Sequence, residues 1–372
     1  VTTRKIGVEE EFMLVDPDTG RLRAVSGQAL RAHRQETSRD NPPGQVEQEL
    51  YLQQIEIGTP PVRGMSELAQ ELRTAREAVD RAAGAVGVHV VATGTPVLAG
   101  EDHVTPKPRY HRMVDQLGEV ARESTVCGMH VHIDIADENE GVVALDYLRP
   151  WLPLLRALTV NSPFWLGRDT KFASWRTQVW NRWPATGPAE PFGSVEGYRA
   201  ATQQLLASRA ALDRAMLYLD ARLSARYPTI EIRVADVCTE IDDVLLFVAL
   251  SRALVEMSSR PNSPGPDAVP RSDALRAAHW RASRFGLSDR LVSPLTQELM
   301  PARAIVEATI DAACDALDDA GDTELVGACF ERLMARGSGA TRQRAMAESS
   351  GNLEAVVEDL HRRFVDSWER GL

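Results

Sequence analysis

Three short stretches of this chain alternate polar with apolar residues at a period of two, and no other feature narrows the choice of fold as far. Successive side chains of a β-strand point to opposite faces, so residues two apart share a face. In 5–15 (KIGVEEEFMLV), Glu9 and Glu11 fall on one side while Val8, Phe12 and Leu14 take the other; Glu10 is the exception on the apolar side. In 129–135, His130, His132 and Asp134 alternate with Met129, Val131, Ile133 and Ile135. In 230–234, Glu231 and Arg233 alternate with Ile230, Ile232 and Val234. The apolar faces need a core of helices behind them. The opposite faces then carry carboxylates, imidazoles and an arginine, an unusual load for one sheet.

The rest of the chain supplies those helices. Met65, Leu68, Leu72, Ala75, Val79, Ala82 and Val86 recur at spacings of three and four, which predicts an amphipathic helix leading into a short strand at 88–93. Helices are expected near 138–158 and 240–259, and from about 271 the pattern is helical almost to the end, after the linker PNSPGP at 261–266. Residues 46–57 read as extended. Glu49 and Glu56 lie in that segment at odd spacing, so both reach one side only if a bulge or bend separates them. Residues 161–197 follow no period but hold Trp165, Trp175, Trp180 and Trp183, which favours an ordered, functional loop. The whole of 1–372 is expected to form a single catalytic domain with a mainly helical portion from about 267.

Charge removes several function classes. Lys plus Arg is 42 against 53 Asp plus Glu, a net charge of −11, which disfavours nucleic acid and anionic membranes as partners. Lys5, Lys107 and Lys171 are the only lysines, and no Gly-Lys pair exists, so a P-loop is excluded. Nucleotide phosphates would then be held by arginine, metal or backbone. Cys127, Cys238, Cys314 and Cys329 form no Cys-x-x-Cys, which suits a reducing cytoplasm better than a zinc knuckle or disulfide framework. The first residues, VTTRKIGVEEEF, lack the apolar run of a signal peptide, and LLFVAL at 245–250 falls far short of the ~20 residues that span a bilayer.

Carboxylates in number with one or two imidazoles and no thiolate suit a hard cation, Mg²⁺ or Mn²⁺. Crowded glutamates repel one another, and a divalent cation neutralises them. Nearby arginines would serve an anionic ligand. A single Glu-x-Glu on a strand is ordinarily a solvated face; three such segments in one chain point to a site.

Gly7-Val8-Glu9-Glu10-Glu11-Phe12, Cys127-Gly128-Met129-His130-Val131-His132 and Pro228-Thr229-Ile230-Glu231-Ile232-Arg233-Val234-Ala235-Asp236 together resemble the type 2 glutamate–cysteine ligase family, bacterial carboxylate–amine ligases related to glutamine synthetase. Arg281-Ala282-Ser283-Arg284-Phe285-Gly286-Leu287 and Gly337-Ser338-Gly339-Ala340-Thr341-Arg342-Gln343-Arg344 agree, so the resemblance runs from about residue 4 to 365. It implies an α+β fold: a curved, mainly antiparallel sheet with the active site on its concave face and helices on the convex face, as in the glutamine synthetase catalytic domain. Parallel doubly wound sheets would instead show near-continuous apolar strands.

The resemblance also implies ATP-dependent amide formation through an acyl phosphate, with ATP and Mg²⁺ or Mn²⁺ as cofactors and a small-molecule carboxylate and amine as substrates. Glu9, Glu11, Glu56 and Glu231 would hold the metals, with His130 as the imidazole ligand and His132 orienting a neighbour. Glu49 is a further carboxylate candidate. Arg233 would face phosphate, Arg222 and Arg226 would contact nucleotide or substrate, and Arg176 would take the acceptor's carboxylate. Cys127 reads as a small buried hydrophobe. Of the residues before Arg222 (MLYLDARL), only Tyr218 is aromatic. The helical C-terminal region leaves room for a homodimer. Two other readings compete: a metal-dependent hydrolase, and a non-catalytic relative that binds nucleotide or amino acid. The hydrolase would need more histidines, and His279 and His361, the only ones after His132, read as surface residues.

Overall fold

The computed structural model describes residues 3–36, 45–266 and 268–369. Eleven strands occur among them: β1 (Ile6–Val15), β2 (Gln45–Gln48), β3 (Gln54–Gly58), β4 (His89–Val91), β5 (Gly128–Asp134), the small hairpin β6 (Phe164–Trp165) and β7 (Arg168–Asp169), β8 (Ala221–Leu223), β9 (Thr229–Asp236), and the hairpin β10 (Arg290–Val292) and β11 (Leu299–Pro301). Seven of them make one sheet in the order β2-β3-β1-β5-β9-β8. β4 pairs with the far end of β1, and every pair in the sheet is antiparallel. The three alternating segments are thus adjacent central strands, β1, β5 and β9.

Their apolar faces are buried together. Val8, Met129, Val131, Ile133, Ile230, Ile232 and Val234 pack in one core with Leu68 and Leu72 of the helix Met65–Gly84, Leu145 and Leu148 of Glu138–Leu148, and the helix Ile241–Ser258. That last helix is buried almost all round, which is why it carries the LLFVAL run without being a membrane span. Glu10, the odd carboxylate on this face, is wholly buried against Arg76 from the helix Met65–Gly84. The Arg76 guanidinium also donates to Cys238 O, Thr239 O and Ser367 Oγ and lies between the rings of Phe12 and Phe364.

Several boundaries differ from the pattern reading. The segment 138–158 is two helices, Glu138–Leu148 and Leu152–Leu158; Pro153 sits in the first turn of the second, where its missing N–H costs nothing. The irregular stretch 161–197 contains the β6–β7 hairpin and the helix Trp175–Trp180, whose N-cap Ser174 accepts from Thr177 N. β10 and β11 interrupt the C-terminal helices. His279 is not at the surface. It is buried beside Asp220, with Nε2 3.3 Å from Oδ2, because Leu275, Ala278 and Ala282 on the same helix face take it into the core. His361 is half-buried and stacked on His89, ring centroids 3.7 Å apart.

Candidate active site

Strand register assembles the polar face in three rows. Glu47 stands opposite Glu56, and Glu56 opposite Glu11. In the next row Gly58 faces Glu9, and Glu9 faces His130. In the third, Gly7 faces His132, His132 faces Glu231, and Glu231 faces Arg222. A register shift between Met129 and Val131 on the β5–β9 pair brings Arg233 beside His130, with Nη1 3.4 Å from Nδ1. The bend that Glu49 and Glu56 require is present: β2 ends at Gln48 and β3 starts at Gln54. The buried Tyr51 pins the turn by donating from its hydroxyl to Ala121 O at 2.8 Å.

These rows floor a cavity of about 460 Å³, a usual size for a ligand site. It is lined by Glu9, Glu11, Glu47, Glu49, Glu56, His130, His132, Arg222, Arg226, Glu231 and Arg233, along with Lys107, Arg109 and several aromatic rings. Trp180, Trp183 and Tyr218 pack against one another in tilted and edge-to-face arrangements, centroids 4.7–5.8 Å apart, and, with Tyr110 and Met113, belong to a small apolar cluster separate from the main cores. Tyr218, the one aromatic residue of MLYLDARL, is thus joined by tryptophans from elsewhere in the chain.

Burial and like charge set the electrostatics. Glu11 is pushed up to about 8, first by desolvation and then by Glu49; Arg176 and the Gly128 N–H, which donates to Oε2 at 2.6 Å, oppose the rise. Glu56 is raised well above the usual carboxylate range by burial and by Glu49, Glu9 and Glu11. Burial also works to raise Glu9, but the neighbouring imidazoles of His130 and His132 outweigh it and hold this carboxyl well below the usual range. Glu231 is likewise desolvated, yet Arg233 and Arg222 hold it at about 2. His130 is pushed down to about 4 by burial and then by Arg233, leaving a neutral imidazole.

Among the described residues two groups have ligand atoms within 4.8 Å of one another: Glu9, Glu56 and His130, and Glu9, His132 and Glu231. Oxygen donors with one imidazole each and no thiolate fit Mg²⁺ or Mn²⁺. His132 meets the requirement closely. Its Nδ1 is anchored on Thr229 Oγ1 at 2.9 Å, while its buried Nε2 has no hydrogen-bond partner and lies 3.4 Å from Glu9 Oε1. A ring held at one nitrogen and free at the other is the usual arrangement of a ligating histidine.

Of the residues singled out by sequence, Glu9, Glu11, Glu49, Glu56, His130, His132, Glu231, Arg222, Arg226 and Arg233 come together around the cavity. Arg176 does not line it. Arg176 is 2% exposed and lies behind Gly128, with Trp180 5.7 Å from its guanidinium, so in this structure it backs Glu11 instead of facing the cavity. Glu47, Lys107, Tyr110 and the tryptophan wall were not foreseen. Glu47 could have been found, since it stands two residues before Glu49 in the same extended segment and so shares its face there. Lys107 gave no local signal and adds a lysine to the cations available for phosphate.

The family model described as Glutamate-cysteine ligase family 2 (GCS2) matches residues 5–359. The chain belongs to this family. A relative from a Nocardioides species, carrying the provisional name glutamate–cysteine ligase 2-1, is 46% identical over 98% of this chain and 97% of its own. The fold is similar to that of a glutamate–cysteine ligase from Francisella tularensis solved in complex with AMP (TM-score 0.67, 12% identity, 100% of this chain and 90% of that one). It is also similar to a bifunctional glutathione synthetase from Pasteurella multocida (TM-score 0.66, 14% identity, 99% of this chain); the chain spans about half the length of that protein. Family 2 membership makes the chain an enzyme of the ligase class, and the α+β, antiparallel architecture implied by the motifs is the one observed. Among the described residues no helix is long and apolar enough to cross a membrane.

Proposed function

We propose that this protein is an ATP-dependent carboxylate–amine ligase that joins glutamate to cysteine. The observation that carries the reading is the pair of acid–imidazole clusters sharing Glu9 on the floor of a cavity walled by Arg222, Arg233 and Lys107. The γ-phosphoryl group of ATP passes to a carboxylate oxygen, giving ADP and an acyl phosphate. The amine nitrogen then attacks the acyl carbon, the carbon–oxygen bond to phosphate breaks, and phosphate leaves as the nitrogen gives up a proton. Such transfer depends on positioning and charge neutralisation more than on covalent help. That agrees with a cavity lined by no cysteine among the described residues: Cys127 is fully buried, with Gln54 Nε2 donating to its Sγ at 3.2 Å, and burial pushes its thiol well above the ordinary range.

Glu9, Glu56, His130, His132 and Glu231 are the residues that would hold divalent cations, with Glu11 and Glu49 beside them; the bound cations supply neutralisation of the polyphosphate. Arg233 orients phosphate, Arg222 fixes Glu231 by donating to both of its carboxylate oxygens, and Arg226 at the exposed rim contacts the nucleotide. Arg176 keeps the Glu11 carboxylate in place from behind. The rings of Trp180, Trp183 and Tyr218 border the acceptor and exclude water from the activated acyl group. Cys127, Cys238 and Cys329 are buried and unpaired, which supports work in the reducing cytoplasm.

The test is ADP release with ATP and Mg²⁺, scanning carboxylates, glutamate first, against amines including cysteine. Release that requires both partners is the expected result. Release with neither partner would favour a hydrolase, and none with any pair would favour a binding protein.

A further inference from the structure

Arg233 occupies ground that a cation would need. Its Nη1 donates to Glu231 Oε1, a member of one acid–imidazole cluster, and lies 3.4 Å from His130 Nδ1, a member of the other. Glu231 already has a full partner in Arg222, whose Nε and Nη2 donate to the two carboxylate oxygens at 2.8 and 2.9 Å. With Glu9 counted, the two carboxylates of this cluster are already matched by two guanidinium charges, so little net negative charge is left to draw a divalent ion there.

The two arginines differ in freedom. Arg222 is locked, because its remaining nitrogen, Nη1, donates to the carbonyls of Ala215 and Leu217 at 2.7 and 3.0 Å. Arg233 is not locked. Its buried Nε has no hydrogen-bond partner among the described residues, and its guanidinium faces the ring of Tyr218 at 5.7 Å, with the Glu11 charge also acting on it. A buried donor without a partner favours any ligand that can supply an acceptor.

Resting on the ligase reading above, we infer that Arg233 is an internal counter-cation that keeps the Glu9–His132–Glu231 cluster from binding a metal ion until a polyphosphate draws the guanidinium away. The Glu9–Glu56–His130 cluster, whose carboxylates have no arginine partner, fills first. Cation and nucleotide therefore bind cooperatively, and the coupling resides in one side chain.

The experiment is Mn²⁺ binding to the nucleotide-free protein, read by titration for stoichiometry and by electron paramagnetic resonance for spin coupling between neighbouring ions. Wild type is expected to take one tight Mn²⁺ and to show spin coupling only when a non-hydrolysable ATP analogue is added. Arg233→Met is expected to bind the second Mn²⁺ about tenfold tighter than wild type without any nucleotide, and to show coupling from the start. Arg233→Lys, which keeps the charge, should stay with wild type. Melting curves of all three verify folding, and the lysine variant carries the comparison if the methionine variant does not fold. Two tight, coupled ions in nucleotide-free wild type, or weaker Mn²⁺ binding in Arg233→Met, would overturn the inference while leaving the metal site standing. No Mn²⁺ binding by either protein would overturn the metal reading itself, and this inference with it.

Discussion

Glu10 and its neighbours Glu9 and Glu11 are consecutive residues of one strand, yet they live under opposite rules. Glu10 points to the back of the sheet and is matched by Arg76, a cation the chain itself provides, at zero exposure for both side chains. Glu9, Glu11 and Glu56 point to the front, where carboxylates outnumber the cations in reach and two of the three are held above their ordinary range. A structural carboxylate is neutralised from within. A functional one is left short, so that something from solution completes it. The protein tolerates the shortfall because the back face, with its large apolar core, stabilises the fold independently.

The sharpest way to break this contrast is to neutralise one residue from each side. Glu9→Gln, which touches both acid–imidazole clusters, should lower kcat by about 10³-fold while the melting temperature hardly moves, measured by ADP release and calorimetry. Glu10→Ala should do the reverse. It strands the buried Arg76 charge and should cost about 3–5 kcal/mol in denaturant unfolding, with near-normal kcat per folded molecule. Equal activity losses with equal unfolding energies would erase the distinction between the faces.

Proton linkage offers a third, smaller test. A carboxyl raised in the folded state contributes stability that is fully present below its unfolded value and is lost as pH rises through its folded value. For Glu11 that window runs from 4.5 to about 8, and Glu56 acts in the same direction. Glu9 and Glu231, whose values are depressed, contribute stability that is fully present above 4.5 and is lost only as pH falls below it. Below 6.5 the depressed imidazoles of His130 and His279 add the opposite slope, so the metal-free protein should melt at progressively lower temperature from about pH 6.5 to 8, and millimolar Mg²⁺ should flatten that slope. Glu56→Gln should flatten it without Mg²⁺. A metal-free slope of the other sign would mean the front carboxylates are already compensated. The smallest effect is expected at the rim: Arg226→Ala should raise the KM for ATP a few-fold and leave melting unchanged, whereas an unaltered KM would take Arg226 out of the nucleotide path.

What could be read from sequence follows from the range of the signal. The front face of β1, β5 and β9 was legible because strand alternation is local, and the same argument flagged Glu10 without finding its partner, 66 residues away in a helix. The bend between Glu49 and Glu56 could be required but not located. Trp180 and Tyr218 became one wall only through packing, and Lys107 entered the cavity by tertiary placement alone. Arg176 shows the converse error: an arginine in a tryptophan-rich loop has the composition of a ligand contact, but burial behind Gly128 depends on a chain path that no local pattern records.

Asp236, at the end of β9, accepts from Asn161 N, Ser162 Oγ and Ser174 Oγ, and the Asn161 side chain in turn accepts from Gln343 Nε2 at 2.8 Å. Arg76 behind the same sheet is likewise closed off by Ser367. During synthesis, then, every front-face carboxylate leaves the ribosome long before the residues that lock the strands carrying them. The nascent chain carries the whole front face before Gln343 and Ser367 arrive to close these contacts.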